Sequence, residues 1–268
     1  MNIEEITKEL EQGVKGLFTS DSYKEYLDFM GKFHNYSVNN SILIFLQMPE
    51  ASLVAGYQAW QKKFKRQVKK GEKGIRILAP VPHKFTKEYT NEDGEKEEKE
   101  ISWNTFRPVS VFDISQTEGD EVPEICKDLT GNVKEYDKLI GKLIELSPVK
   151  VEYEDIKNEA KGYFHQKENR IAIKAGMSEE QTVKTMVHEI AHSMLHGEDG
   201  EEKEADRRTK EVQAESVAYT VCRMLGLDTS EYSFGYIAGW SEGKEAKELS
   251  ASMEVIRKTA NKIMEGVA

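Results

Sequence analysis

The chain has 268 residues, 38% of them apolar and 32% charged, a net charge of −10, and no apolar run long enough to cross a bilayer. These values exclude a disordered chain and a membrane-spanning helix, and the length favours two compact domains over one. The opening MNIEEITKEL lacks the charged, apolar and small-residue succession of a secretory signal. Two cysteines, Cys126 and Cys222, too few for a disulfide framework and without CxxC spacing, are read as buried thiols in a reducing cytoplasm. Charge is unevenly spread. Residues 1–116 hold 17 basic and 17 acidic side chains, so the whole net charge falls in the remainder. Within that neutral part, residues 57–87 carry ten Lys or Arg against the single acid Glu72.

In chain order, helical spacing of apolar residues predicts two helices before residue 33, interrupted over 13–20, and a buried helix over 41–47 ended by Pro49. A short helix follows at 56–64. Residues 71–74 have the composition of a tight turn, and 75–80 and 103–112 alternate as strands around a charged stretch, 88–100, read as a solvated hairpin or loop. The polar stretch 117–124, with Gly and Pro, marks a domain boundary, which divides the chain into residues 1–116, a linker at 117–125 and residues 126–268. Beyond it come a helix over 133–146, strands at 149–153 and 170–173, and residues 162–165 between them. Ser178-Glu-Glu-Gln181 reads as a capping box that opens an amphipathic helix. An acidic loop (198–204), a helix running to about Leu225 and ended by Gly226, and a last helix near 254–264 complete an α+β chain.

The chemistry concentrates in the capped helix. His188-Glu189-Ile-Ala-His192 sets two imidazoles one turn apart on one face, where they can share an ion, with Glu189 offset so as to take a proton from water. A catalytic zinc needs a third protein ligand, and Glu211-Val-Gln-Ala-Glu215 projects two carboxylates from the following helix. Glu211 is assigned as that ligand and Glu215 as the carboxylate orienting an imidazole; the reverse assignment stays open. His196, one further turn along, is not well placed to complete a tetrahedron and reads as surface or as support for a ligand. The expected activity is that of a zinc metalloendopeptidase acting on an unidentified protein substrate. His165, Tyr163, Tyr219 and Tyr236 are further groups that could stabilise an oxyanion, each more commonly structural.

The strings around these residues resemble the ArdC-type antirestriction proteins, whose C-terminal part is a zincin-like metallopeptidase related to the ImmA/IrrE group. The resemblance runs through Asn35-Tyr-Ser37, Val54-Ala-Gly-Tyr57, Trp60, Val68-Lys-Lys-Gly-Glu-Lys-Gly74, Val111-Phe-Asp-Ile-Ser-Gln-Thr-Glu-Gly119, the HExxH and Glu211-Val-Gln-Ala-Glu-Ser-Val-Ala-Tyr219. It implies an N-terminal domain that binds single-stranded DNA, in a protein carried by a mobile genetic element to protect incoming DNA. The basic segment bears aromatic residues, the two requirements of a non-specific single-strand groove. Lys69, Lys70, Lys73 and Arg76 are the expected phosphate contacts, with Trp60 as a stacking ring. The alternative is a non-catalytic single-strand-binding protection protein that retains the zincin fold as scaffold.

Overall fold

A computed structural model describes residues 2–33, 35–90, 96–122, 136–229, 232 and 234–268. The chain forms two compact units, Met1–Leu10 with Leu43–Glu121, and Glu11–Ile42 with Val122–Ala268. Helices α1 (Ile3–Leu17) and α3 (Val38–Gln47) each begin in one unit and end in the other. Helix and sheet are segregated in the manner of an α+β protein, as the hydrophobic periods require.

The first unit contains β1 (Val54–Gly56), α4 (Tyr57–Lys62), β2 (Arg66–Val68), β3 (Ile75–Thr90), β4 (Lys96–Asp113) and β5 (Thr117–Gly119). One sheet has the order β1-β4-β3, and β2 pairs with β5, every pairing antiparallel. Strands β3 and β4 make one long hairpin in register from Ile75↔Val111 out to Thr90↔Lys96. The charged stretch is therefore largely strand, and its centre, residues 91–95, lies outside the described residues. Pro80 and Pro82 fall on β3, which is an edge strand, where a missing N–H leaves no ladder bond unmade. Asp113 ends β4 by accepting the N–H groups of Ser52, Leu53 and Ser115, while Gln116 Oε1 accepts the N–H of Asp113, a reciprocal cap that turns the chain.

Two expectations change here. Residues 117–119, expected in a linker, are strand β5. Arg66 pins them by donating to Thr117 Oγ1 at 2.7 Å, Thr117 O at 3.0 Å and Gly119 O at 3.2 Å, a long-range set of bonds invisible to local composition. Trp60, expected to stack on a base, is 0% exposed; its indole N–H donates to Phe112 O at 2.9 Å and its ring lies 4.8 Å from Phe64. A ring with no free face cannot receive a base, and the i,i+4 spacing of Trp60 and Phe64 is that of a core pair.

The second unit carries α2 (Ser20–Lys32), α5 (Tyr136–Leu146), β6 (Lys150–Glu154), β7 (Gly162–His165), β8 (Arg170–Lys174), α6 (Glu179–His196), α7 (Arg207–Met224), α8 (Ile237–Ser241) and α9 (Ala246–Val267). Its sheet has the order β6-β8-β7, with β6 and β8 parallel and β7 antiparallel at the edge. Helix α6 packs on β7 and β8 and against α7, which in turn packs on α9 and α2. Sequence order groups α2 with the first domain, yet it belongs to this unit: Asp28 accepts from Tyr219 Oη and Arg223 Nε, both at 2.8 Å, and the Tyr23 and Ser216 hydroxyls share a hydrogen bond of 2.8 Å. Helix α7 starts on Asp206, whose side chain accepts from Arg208 N and Thr209 N, and stops where Gly226 takes a φ of 72°. Cys222 lies buried on α7 with its thiol pushed up to about 12 by burial, an inert group; Cys126 lies outside the described residues.

Candidate metal centre

Helix α6 begins where Ser178 Oγ accepts the N–H of Gln181. The Gln181 side chain does not return to the cap but binds Lys161 and Thr185, so half of the expected capping box forms. The helix then buries Val183, Met186, Val187 and Ile190, and this places His188 and His192 toward α7 with their Nε2 atoms 3.1 Å apart. From α7, Glu211 Oε2 lies 3.9 Å from His188 Nε2 and 3.7 Å from His192 Nε2. These three side chains present donor atoms all within 4.8 Å of one another. Glu215, one turn further on α7, reaches His188 from the other side, with Oε2 3.2 Å from Nδ1.

The hydrogen bonds dictate which ring nitrogens carry protons. A carboxylate only accepts, so His188 Nδ1 donates to Glu215. Gln213 Nε2 donates to Glu202 and to Ser252, both at 3.2 Å, which turns its carbonyl oxygen toward His196 Nε2 at 3.0 Å. His196 therefore donates from Nε2 and accepts at Nδ1, and the group 3.0 Å from that Nδ1 is His192 Nδ1, which must donate. His188 and His192 then both direct an Nε2 lone pair at the same point, which Glu211 also faces. Three acceptors converge there, and the arrangement calls for a proton or a cation among them. A tetrahedral ion with bonds near ~2.1 Å separates its donors by about 3.4 Å, and the observed 3.1, 3.7 and 3.9 Å straddle that edge. The residues fit a divalent ion bound by two imidazoles and a carboxylate.

Titration follows the same geometry. Burial opposes charge on His188, but Glu215, Glu189 and Glu211 together raise it above the ordinary imidazole value. Burial pushes the Glu189 carboxyl up despite the pull of the two histidines and an N–H bond from Phe164. Its interaction with His192 holds Glu211 below the usual carboxylate range. Burial pushes His196 down to about 4, so it is neutral at physiological pH.

A cavity of about 480 Å3 opens in front of these groups, walled by Gly162, Tyr163 and Phe164 of β7 on one side and by His188, Glu189 and Glu211 on the other. Gly162 is required by close approach: a Cβ there would sit 2.6 Å from Thr185 Cγ2 and 2.9 Å from Ala172 O. Of the four further oxyanion residues, Tyr219 is buried on Asp28, Tyr163 Oη is bound to Glu154 and His165 Nδ1 accepts Glu168 N, while Tyr236 lines a cavity beside Arg207 and Glu211. Of the two alternatives for His196, surface or support for a ligand, the contact with His192 bears out the second; Gln213, which fixes His196 in turn, carried no signal in the sequence. For His196 the signal was spacing, because it lies one turn beyond His192 on the same face. In the first unit, Lys69, Lys70 and Lys73 are exposed, Lys69 Nζ bonding Ser115 O, and Arg76 is half-buried with Nη1 on Ser110 Oγ.

Residues 2–112 match the N-terminal domain of anti-restriction factor ArdC. Residues 144–260 match the IrrE N-terminal-like domain of the Peptidase_M78 family. An uncharacterized protein of Bacillus anthracis is 28% identical over 307 aligned positions, covering 97% of this chain and 51% of that protein, so the chain spans about half the length of this relative. Two solved structures of the antirestriction ArdC protein from the R388 plasmid, metal-free and Mn(II)-bound, share the fold with TM-scores of 0.54 and 0.53 at 19% and 18% identity. Each likeness covers 87% of this chain and 85% of the other. In chain order, the protein therefore joins a domain matching the N-terminal domain of anti-restriction factor ArdC to an IrrE-like domain of the Peptidase_M78 family.

Proposed function

We propose that this chain is a zinc-dependent endopeptidase that works on single-stranded DNA in the cytoplasm, as an antirestriction factor of a mobile genetic element. The observation that carries the peptidase reading is the convergence of His188 Nε2, His192 Nε2 and Glu211 Oε2 beside the buried Glu189. Two imidazoles and one carboxylate are the donor set of hydrolytic zinc sites, and the Mn(II)-bound structure of the R388 protein supports a divalent ion in this fold. An ion held there supplies Lewis acidity toward water and a peptide carbonyl. Glu189, its carboxyl pushed above the ordinary carboxylate value by burial, accepts the proton of the attacking water and returns it to the leaving amine as the C–N bond breaks. Glu215 and His196 hold the two imidazoles in the ligating tautomer. Strand β7 is the edge of its sheet and walls the cavity, the position at which an extended peptide can add as a further strand.

Single-strand binding is assigned to the first unit, where Lys69, Lys70 and Lys73 stand exposed on the turn between β2 and β3. Among the described residues, no helix is long and apolar enough to cross a membrane.

Three measurements test the reading on the full chain. Elemental analysis is expected to find zinc in the wild type and little in His192→Ala. Cleavage of fluorescein-labelled casein, with and without oligothymidylate, is expected to disappear in Glu189→Gln while zinc and oligonucleotide binding persist. If Glu189→Gln retains full protection of incoming DNA in cells, the peptidase reading fails and a protection module without turnover takes its place.

A further inference from the structure

We infer that one face of the β3–β4 hairpin is a preformed stacking platform for the unpaired bases of a single strand. The inference rests on the single-strand reading above and supplies the aromatic contact that buried Trp60 cannot.

Residues opposite one another in an antiparallel register share a face, as do alternate residues along each strand. The register His83↔Trp103 and Phe85↔Ile101 therefore gathers His83, Phe85 and Trp103 on one face, and their ring contacts agree: His83 stacks on Trp103 at 5.1 Å and Phe85 meets it edge-on at 5.7 Å. Phe85 and Trp103 nevertheless leave 46% and 47% of their surface in solvent. Rings that already support one another on a two-stranded ribbon and stay half-exposed are poorly explained as core. His83 is fixed in turn by Thr105, whose Oγ1 lies 2.7 Å from Nε2, so little side-chain freedom is lost when a ligand arrives.

Charge selects the occupant. Between residues 81–87 and 101–107, the described side chains of this face include exposed Lys87 and Arg107 and no acid. Glu100 lies on the opposite face, where it is paired with Lys84 at 2.7 Å. Flat rings flanked by cations are what stacked bases and phosphates need. Pro80 and Pro82 on the β3 edge remove backbone donors there, which disfavours an added peptide strand and leaves the face, not the edge, as the contact.

The test exploits a spectroscopic accident. The chain has three tryptophans, and Trp60 and Trp240 are buried at 0% and 4% exposure, so Trp103 is the indole that an external base can touch. Titrating the full chain with a fluorescein-free 20-mer oligothymidylate is expected to quench intrinsic emission with the same midpoint that anisotropy reports for the labelled oligomer. Trp103→Phe keeps affinity and loses the quench, because the phenyl ring still stacks. Trp103→Ala and Phe85→Ala each lower affinity at least about fivefold, the loss that removing one base–ring stack produces. Phe106→Ala, on the opposite face, leaves affinity unchanged. Unchanged affinity in Trp103→Ala, or an equal loss in Phe106→Ala, overturns the platform while leaving single-strand binding intact. Absence of any oligonucleotide binding by the wild type instead removes the single-strand reading itself.

Discussion

Replacing Gln213 by Met tests the hydrogen-bond logic of the proposed metal centre without touching His188, His192 or Glu211. Methionine has nearly the length and volume of glutamine but no carbonyl oxygen. In the native chain that oxygen accepts from His196 Nε2 at 3.0 Å. A buried N–H left without an acceptor costs about 1–3 kcal/mol, enough to move the proton of a neutral imidazole to its other nitrogen. His196 is neutral over the assay range because burial pushes it down to about 4. Its proton would then sit on Nδ1, facing the Nδ1–H of His192 at 3.0 Å. His192 relieves the conflict by shifting its own proton to Nε2, the atom that faces Glu211, and a protonated Nε2 cannot ligate. Loss of such a supporting partner lowers metal affinity about 10–100-fold, equivalent to about 1.4–2.7 kcal/mol. Long-range 1H–15N spectra of the metal-free protein report the tautomers directly, and chelator competition at pH 7.5 reports zinc affinity. His192 is expected to carry its proton on Nδ1 in the wild type and on Nε2 in the variant. A folded Gln213→Met protein with the native tautomer and a zinc Kd within about twofold of wild type would refute the reasoning.

The remaining predictions concern pH, packing and the core. The folded pKa of His196, about 4, lies below the ordinary imidazole value, so its contribution to stability is complete above about 6.5 and is lost as pH falls toward 4, at most about 3 kcal/mol. His188, whose pKa is raised, keeps its contribution throughout that window and loses it only as pH rises through its folded value. Chemical denaturation of the metal-free protein at pH 4.5 and 7 is expected to show a smaller difference in His196→Phe than in wild type; equal differences would remove the assignment. Gly162→Ala places a Cβ 2.6 Å from Thr185 Cγ2 and is expected to cost about 1–3 kcal/mol by overpacking. Calorimetry should then show a lower Tm, and an unchanged one would mean that β7 does not pack this closely on α6. Trp60→Ala is expected to lose about 3–5 kcal/mol, as large core truncations do. Its folded fraction should bind oligothymidylate normally, and a stable variant that no longer binds would restore Trp60 as a contact.

Much of the second unit was legible locally. The four-residue step from His188 to His192 is a statement about helical geometry, and the start of α6 at Ser178 and the end of α7 at Gly226 follow from capping chemistry and backbone sterics. The turn expected at residues 71–74 forms two residues earlier, where Lys69 O accepts Glu72 N at 3.3 Å and Gly71 takes a φ of 92°. Where the sequence reading went astray, a distant partner decided. Polar, Gly-containing 117–119 became strand β5 because Arg66 binds it across the fold. Helix α2 joined the second unit because Asp28 is held by Tyr219 and Arg223, about two hundred residues downstream.

The sequence by itself determined that two imidazoles share a helix face, that two carboxylates follow on another, and that the cations gather in a neutral stretch of an acidic chain, because these properties depend on spacing and composition alone. Tertiary structure alone decided that Glu211 faces both Nε2 atoms while Glu215 takes His188 Nδ1, that Gln213 sets the proton on His192 through His196, and that Trp103 rather than Trp60 meets solvent. Each of those outcomes depends on which side of one element lies against another, and that is settled by packing between residues far apart in the chain.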